Sequence, residues 1–280
     1  MSVRNVSSRG GNITGHFPFI KTGQMVPYES TIERDFLYLA NFAPEVLDIE
    51  AQPVRIEYWH EGRRHYTPDY LVGMSHCDVL VECKPAELVS KDENRRKWEA
   101  AHRYCADLHW DFTVITDRQM REGAAGARLR NVKMLTQFAR HAVVPSVKSL
   151  VFAALIGHAE TEAAGPPLTI SQLAHKIAPG DPQSAVPAIL HLAFHHRLMV
   201  PLDDGPLSVG SPVWLSSYPP PPTPQSSVPL SPISLNSPFS TASLLRIPAY
   251  TDPSSTHLIP LIPRSHFRAD HTGNTGNTAP

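Results

Sequence analysis

The sequence carries almost no net charge, little cysteine and no long apolar run. Twenty-five Lys and Arg stand against 26 Asp and Glu, giving a formal charge of −1 and a pI of about 6.9. Nothing global marks a polyanion binder, so any nucleic-acid contact has to come from a local patch. The cysteines are Cys77, Cys83 and Cys105, an odd set without a CxxC pair. This argues against a disulfide framework or a zinc ribbon, and for a reducing, cytoplasmic setting. The start, MSVRNVSSRG, has no apolar h-region, and no apolar run approaches the roughly 18 residues of a spanning helix. Neither a secretory signal nor a membrane span is expected.

Proline, by contrast, is abundant. Of 28 prolines, 13 fall in residues 217–280, a stretch with five charged residues and no Lys or Glu. Four zones follow from such shifts. Residues 1–27 are Gly-rich and basic, with Arg4, Arg9 and Lys21 and no acid, and read as a flexible arm. Residues 28–142 show clear periodicity and form the main domain. Residues 143–216 are mostly helical in pattern and form a smaller one. Residues 217–280 read as a disordered Pro/Ser-rich tail. No repeat is evident.

Within the main domain the pattern predicts a helix from Ser30 to about Phe42 and strands at 52–59, 64–72 and 79–84. A long helix over 91–109, a strand at 111–116 and a helix over 131–142 follow. The order α-β-β-β-α-β argues an α/β domain with a mixed sheet. Tyr66-Thr67-Pro68-Asp69 ends in a carboxylate, and Val81-Glu82-Cys83-Lys84 follows. Side chains two apart on a strand share a face, so Glu82 and Lys84 point the same way. A hairpin closing between Ser75 and His76 places Asp69 directly across from Glu82.

Two carboxylates and an ammonium on one patch have two readings. In one, Lys84 merely neutralises the acids as a surface ion-pair cluster. In the other, Asp69 and Glu82 hold a hard divalent cation, and Lys84 orients or deprotonates an attacking water. Glu33 is equally double. Ser30-Thr31-Ile32-Glu33 has the spacing of a capping box, or Glu33 supplies a third carboxylate. Glu29 is a weaker competitor.

Glu33, Pro68-Asp69 and Glu82-Cys83-Lys84, in that order, resemble the PD-(D/E)xK nuclease core. More narrowly, several segments resemble the TnsA family, the endonuclease subunits of heteromeric bacterial transposases. They are Tyr28–Leu37, Val46–Ile49 with Gln52-Pro53, Tyr66–Val72, Val81–Pro85 and Phe112–Asp117, with Gly15–Pro18 like the family's lead-in. The resemblance covers roughly residues 10–140. It implies a restriction-endonuclease-like fold with Glu33, Asp69, Glu82 and Lys84 as the catalytic set. The metal would be Mg²⁺, held by Asp69, Glu82 and Glu33, with Mn²⁺ as a substitute. Some members carry Gln where this chain has Glu82. The resemblance further implies cleavage of the 5′ ends of a transposon in double-stranded DNA. A DDE-type TnsB partner would cut the 3′ ends, and a TnsC-like ATPase regulator would dock on the C-terminal domain. A stand-alone restriction or repair nuclease, and a non-catalytic DNA- or protein-binding adaptor, are the alternatives.

The second domain reads as a helix over 168–177, a helix over 184–196, and a hairpin pairing 198–200 with 207–209. That is a winged-helix-like order. Its only cations over 168–216 are Lys176 and Arg197, which favours protein contact over DNA. His191, His195 and His196 share a helix but lack the acid or thiol partners of a zinc site. For DNA, the obvious cations are Arg4, Arg9 and Lys21 in the arm and Arg95, Arg96 and Lys97 on the long helix. By default that helix presents a solvated mixed-charge face.

Overall fold

The structure, a computed structural model, describes residues 13–161 and 166–216. Arg4, Arg9 and the expected tail over 217–280 lie outside the described residues.

The chain opens with an antiparallel hairpin, β1 (Gly15–Phe19) and β2 (Gln24–Tyr28), turning at Gly23 with φ 73°. Over residues 13–27 this corrects the expectation of a flexible arm. Phe17, Phe19 and Val26 are buried, and Phe17 meets Tyr38 edge-on at 4.8 Å. Three inward side chains gave the segment the apolar surface its polar composition concealed.

Helix α1 (Thr31–Phe42) is capped by Ser30, whose hydroxyl accepts from the Glu33 amide. It ends before Pro44, which disfavours helical backbone at Ala43. Its apolar residues Ile32, Phe36, Leu37, Leu39 and Ala40 face the core.

The central sheet has four strands in the order β3 (Val46–Ala51), β6 (Tyr70–Met74), β7 (Asp78–Lys84), β8 (Asp111–Thr116). The first two pairings are antiparallel and the last is parallel. The sheet is therefore mixed, as the pattern predicts. Tyr70 lies opposite Val81 and Gly73 opposite Asp78, the register deduced from the turn position. Helix α2 (Asp92–Leu108) crosses from β7 to β8. It packs Ala100, Ala101 and Cys105 against one face, with Leu80. The other face carries Val72, Val79, Val81 and Ile115 into the main core with α1 and α4 (Gly123–Thr136).

Two predicted strands are each broken. The segment 52–59 is interrupted because Gln52 takes a left-handed conformation (φ 50°) before Pro53. The core strand is instead β3, upstream. The segment 64–72 is interrupted at Pro68, which cannot donate to a ladder. The residues between form a separate ribbon of β4 (Ile56–Trp59) and β5 (Arg63–Tyr66). The predicted helix over 131–142 begins earlier, as α4, after a short α3 (Asp117–Arg121).

Beyond α4 come α5 (Pro145–Thr161), α6 (Ile170–Ile177) and α7 (Val186–Phe194). Thr169 caps α6 through a reciprocal box with Gln172. Strand β9 (Leu198–Met199) pairs with β10 (Trp214–Leu215), not with 207–209 as expected. The reason lies in Asn131 of α4. Its amide donates to the carbonyls of Leu202 (2.8 Å) and Gly205 (2.7 Å), and its oxygen accepts from the Leu207 amide (2.8 Å). The Val209 carbonyl, meanwhile, accepts from Ser171. The groups a 198–209 hairpin would need are already engaged.

One apolar cluster runs unbroken from Phe17 to Leu215. Its junction includes Phe42 against Phe194 at 5.7 Å. The three histidines serve the same junction. His191 donates to the Phe138 carbonyl (3.0 Å), His195 to Ala139 (2.8 Å) and His196 to Phe42 (2.6 Å).

Asn131→Ala leaves two carbonyls and one amide without their partner. The expected destabilisation is about 2–3 kcal/mol, read by chemical denaturation. A loss of a few tenths would show that the loop is held otherwise.

Candidate active site

The site forms where β6 begins and β7 ends. The Pro68 break sets Asp69 just before β6, and the Gln52 amide donates to the Asp69 carbonyl at 2.8 Å, closing the bend. By the β6–β7 register, Asp69 falls opposite Glu82. Its Oδ2 accepts from the Cys83 amide at 2.7 Å. Glu82 is only 4% exposed. Its Oε1 accepts from Lys84 Nζ at 3.0 Å, while Oε2 is buried with no hydrogen-bond partner. Leu80, Glu82 and Lys84 share the face that α2 covers, so the charged pair ends an otherwise apolar row.

Glu33 joins this group from α1 and satisfies both readings in part. Its Oε2 accepts from the Glu29 amide at 2.7 Å, and its own amide donates to Ser30. The Tyr70 hydroxyl donates to the Pro27 carbonyl (2.9 Å) and stands 3.5 Å from the same Glu33 oxygen. Glu33 is thus a helix-capping residue whose charge still bears on the other two acids. Glu29 instead accepts from Gln52 Nε2 at 3.0 Å.

Burial raises the pKa of all three carboxyls. Burial pushes Asp69 well above the usual range, with Glu82 and Glu33 adding to it and the Cys83 amide and Lys84 opposing. Burial also raises Glu82, against the pull of Lys84 and Lys97. Glu33 is raised by burial, which outweighs its bonds to Glu29 and Ser30. For Lys84, burial disfavours the charge, but Glu82 and then Asp69 win and lift the ammonium above its ordinary value.

As the side chains stand, no three His, Cys, Asp or Glu among the described residues are grouped closely enough to hold a metal ion. The pair fits Mg²⁺ all the same. That ion is commonly held by one or two carboxylates and completes its shell with water and substrate phosphate. A buried, unpartnered Glu82 oxygen beside Asp69 is the donor such a site requires, and Glu33 contributes charge from behind its cap.

Other expected contacts fall differently. Lys21, read as a DNA-binding residue, is committed elsewhere. Its ammonium donates to the Val46 carbonyl at 2.5 Å and to that of Ala43. Burial brings its pKa down to about 8, with Glu45 opposing. Lys97 pairs with Glu93 at 2.6 Å, and its charge reaches Glu82, so it belongs to the rim of the site. Arg95 and Arg96 are exposed on α2, Arg95 lying 3.9 Å from Glu99. Spacing did not single out Tyr66. Its hydroxyl is buried without a partner, and burial, then Glu82 and Asp69, raise its pKa. The signal was present, since Tyr66 opens the segment that ends in Asp69.

A carboxyl raised in the fold binds its proton more tightly folded than unfolded. It therefore burdens the metal-free protein most above its raised pKa, and the burden lifts as pH falls through that value. Asp69→Asn is expected to raise the thermal midpoint at neutral pH by about 2–4 °C for each kcal/mol relieved. That advantage should vanish as the pH falls to about 4, the ordinary carboxyl range. Paired melts across pH check it; a lower midpoint for the variant at neutral pH would contradict the sign.

Among curated proteins, none matches the chain. Residues 43–117 match the family model for the TnsA-like endonuclease N terminal, a span from the residue after α1 through β8 to Asp117. Asp69, Glu82 and Lys84 lie inside this match and Glu33 outside it, and the chain carries a TnsA-like endonuclease domain.

Proposed function

We propose that this protein is the metal-dependent endonuclease subunit of a heteromeric transposase, hydrolysing phosphodiesters at the 5′ ends of the transposon. The observation that carries the reading is Glu82 Oε2, buried and unpartnered beside Asp69, whose own Oδ2 is fixed by the Cys83 amide while the Lys84 ammonium bonds only Glu82. Asp69 and Glu82 would hold Mg²⁺, with Mn²⁺ as a substitute and Glu33 as the third acid. When bound, the ion supplies an acidified water and offsets charge on the scissile phosphate.

The chain's own residues do the rest. The Cys83 amide fixes one oxygen of Asp69. Lys84 keeps its proton against Glu82, so it serves as a fixed cation that orients the water or phosphate and not as the base. Lys97 offsets further charge at the rim. The capped Glu33 holds its carboxyl toward the site with little freedom.

The element order supports a winged-helix-like reading of the C-terminal part: α5, the bridge of Thr169 to Pro212, α6, α7, β9, β10. With Lys176 and Arg197 its only cations over 168–216, contact with a TnsC-like ATPase regulator is the better use of it than DNA. The TnsB-like partner supplies the hold on the transposon end. The isolated chain would then bind DNA weakly and with strong salt dependence.

Asp69→Ala and Lys84→Ala are each expected to lower 5′-end cleavage by about 10²–10³-fold while folding and assembly with the transposase partner persist. The assay is strand-specific cleavage of a duplex bearing the transposon end, with Mg²⁺ and the partner. Undiminished nicking by Asp69→Ala would sink the assignment. Efficient cutting of end-free DNA by the lone chain at physiological salt would favour a stand-alone nuclease.

A further inference from the structure

The β4–β5 ribbon takes no part in the four-stranded sheet. Its base is fixed, since Ile56 and Tyr66 are buried against Ala100, Ala101 and Cys105 of α2. Its tip is a tight loop in which Glu61 (φ 51°) and Gly62 (φ 132°) take left-handed backbone, and nothing would meet a Cβ at Gly62. The ribbon is therefore a prong, rooted in the core and open at its end. It runs through Thr67 and Pro68 directly into Asp69.

Trp59, at the end of β4, is 74% exposed, the most exposed large apolar side chain among the described residues. Directly across the ribbon stands Arg63, held to Glu57 by two bonds of 2.8 and 2.6 Å. This clamp braces the strand that bears Trp59. Arg64 is exposed on the ribbon's other face, across from Tyr58, Arg55 is exposed just before β4, and Arg95 and Arg96 are exposed on the adjoining helix. The ribbon's base lies near the site, since only Thr67 and Pro68 separate Tyr66 from Asp69, and Tyr66 is buried against α2 together with Leu80 of β7.

At 74% exposure Trp59 gains little from burial in the fold. Beside a phosphodiester-cutting site, with unburied arginines around it, it has an evident partner. We propose that the ribbon is a DNA-contacting prong. Trp59 packs against a base or deoxyribose of duplex DNA next to the cut, and Arg64 and Arg55 meet the flanking phosphates. Aromatic packing on bases tolerates any sequence, and cations on phosphates likewise, so the prong would position the duplex without selecting it.

The inference rests on the nuclease reading, and its test is separable from it. Binding is measured in the Asp69→Asn background, where no cutting is needed. The probe is a fluorescein-labelled linear duplex of about 30 bp at about 50 mM salt, followed by anisotropy, where phosphate contacts count most. Trp59→Ala is expected to weaken binding about tenfold, and Trp59→Phe to restore most of it. Arg64→Ala is expected to lower the slope of log K against log salt by about 0.9. Thermal midpoints should match the Asp69→Asn parent, because neither side chain is buried. Binding by Trp59→Ala within twofold of that parent overturns the proposal, as does the absence of any duplex binding by the parent. Neither result bears on whether Asp69 is needed for cleavage, which is read in the otherwise unaltered chain.

Discussion

Two carboxylates, Asp69 and Glu82, set beside the Lys84 ammonium at the edge of a buried sheet, with the charge of Glu33 bearing on both, are the arrangement to which the surrounding structure answers. Charge of one sign removed from water is costly, and a fold tolerates it only where geometry is imposed by something stronger. Here the imposing element is the apolar sheet. Val79, Val81 and Cys83 face the main core and Leu80 faces α2, so the strand cannot rotate to release Glu82 into solvent. Asp69 is pinned by the Cys83 amide and by the Gln52–Asp69 backbone bond. Glu33 is pinned by its cap. Asp69 and Glu33 are held by backbone amides that a neutral substitute would leave nearly undisturbed, and Glu82 by its place in the strand and by Lys84.

The C-terminal part contributes to this rigidity without touching the acids. Phe42 ends the helix that carries Glu33, and it packs on Phe194 while its carbonyl accepts from His196. Lys21 bonds the carbonyls of Ala43 and Val46 on either side of Pro44, tying the end of α1 to the start of β3. Histidines that resemble a ligand set in the sequence are thus hydrogen-bond donors to part-buried carbonyls at the end of α1 and just beyond α4, groups that would otherwise lack partners.

Register and site were legible in the sequence because both depend on short-range rules. The turn after Met74 fixes which residues of β6 and β7 meet, and alternation fixes which side they take. The breaks were less legible. Pro68 and Gln52-Pro53 lie inside runs that alternate well, and the missing proline donors, with the left-handed backbone at Gln52, separate β4 from β3 and β5 from β6. The first hairpin was hidden by composition, since Phe17, Phe19 and Val26 are sparse among Gly, Thr and Lys. The β9–β10 pairing depended on Asn131, some 70 residues away, and no local pattern encodes such a capture. Tyr66 escaped notice for a similar reason, because what marks it is an unpartnered hydroxyl in the fold and not its spacing.

The breaks that obscured the strands also make the site. An unbroken strand from 64 to 72 would carry Asp69 in mid-ladder, where its side chain would alternate into one face and its backbone would be fully paired. Pro68 ends the ribbon and frees the backbone to re-enter the sheet one residue later, with Asp69 at the corner. The same corner releases β4 and β5 from the sheet to stand beside α2. One proline therefore separates two tasks within four residues. It leaves Tyr66 and the ribbon on the side of α2, and it turns Asp69 toward Glu82. Replacing it with a residue that can donate to the ladder would let the two strands merge and would cost the site its geometry before it cost the fold its core.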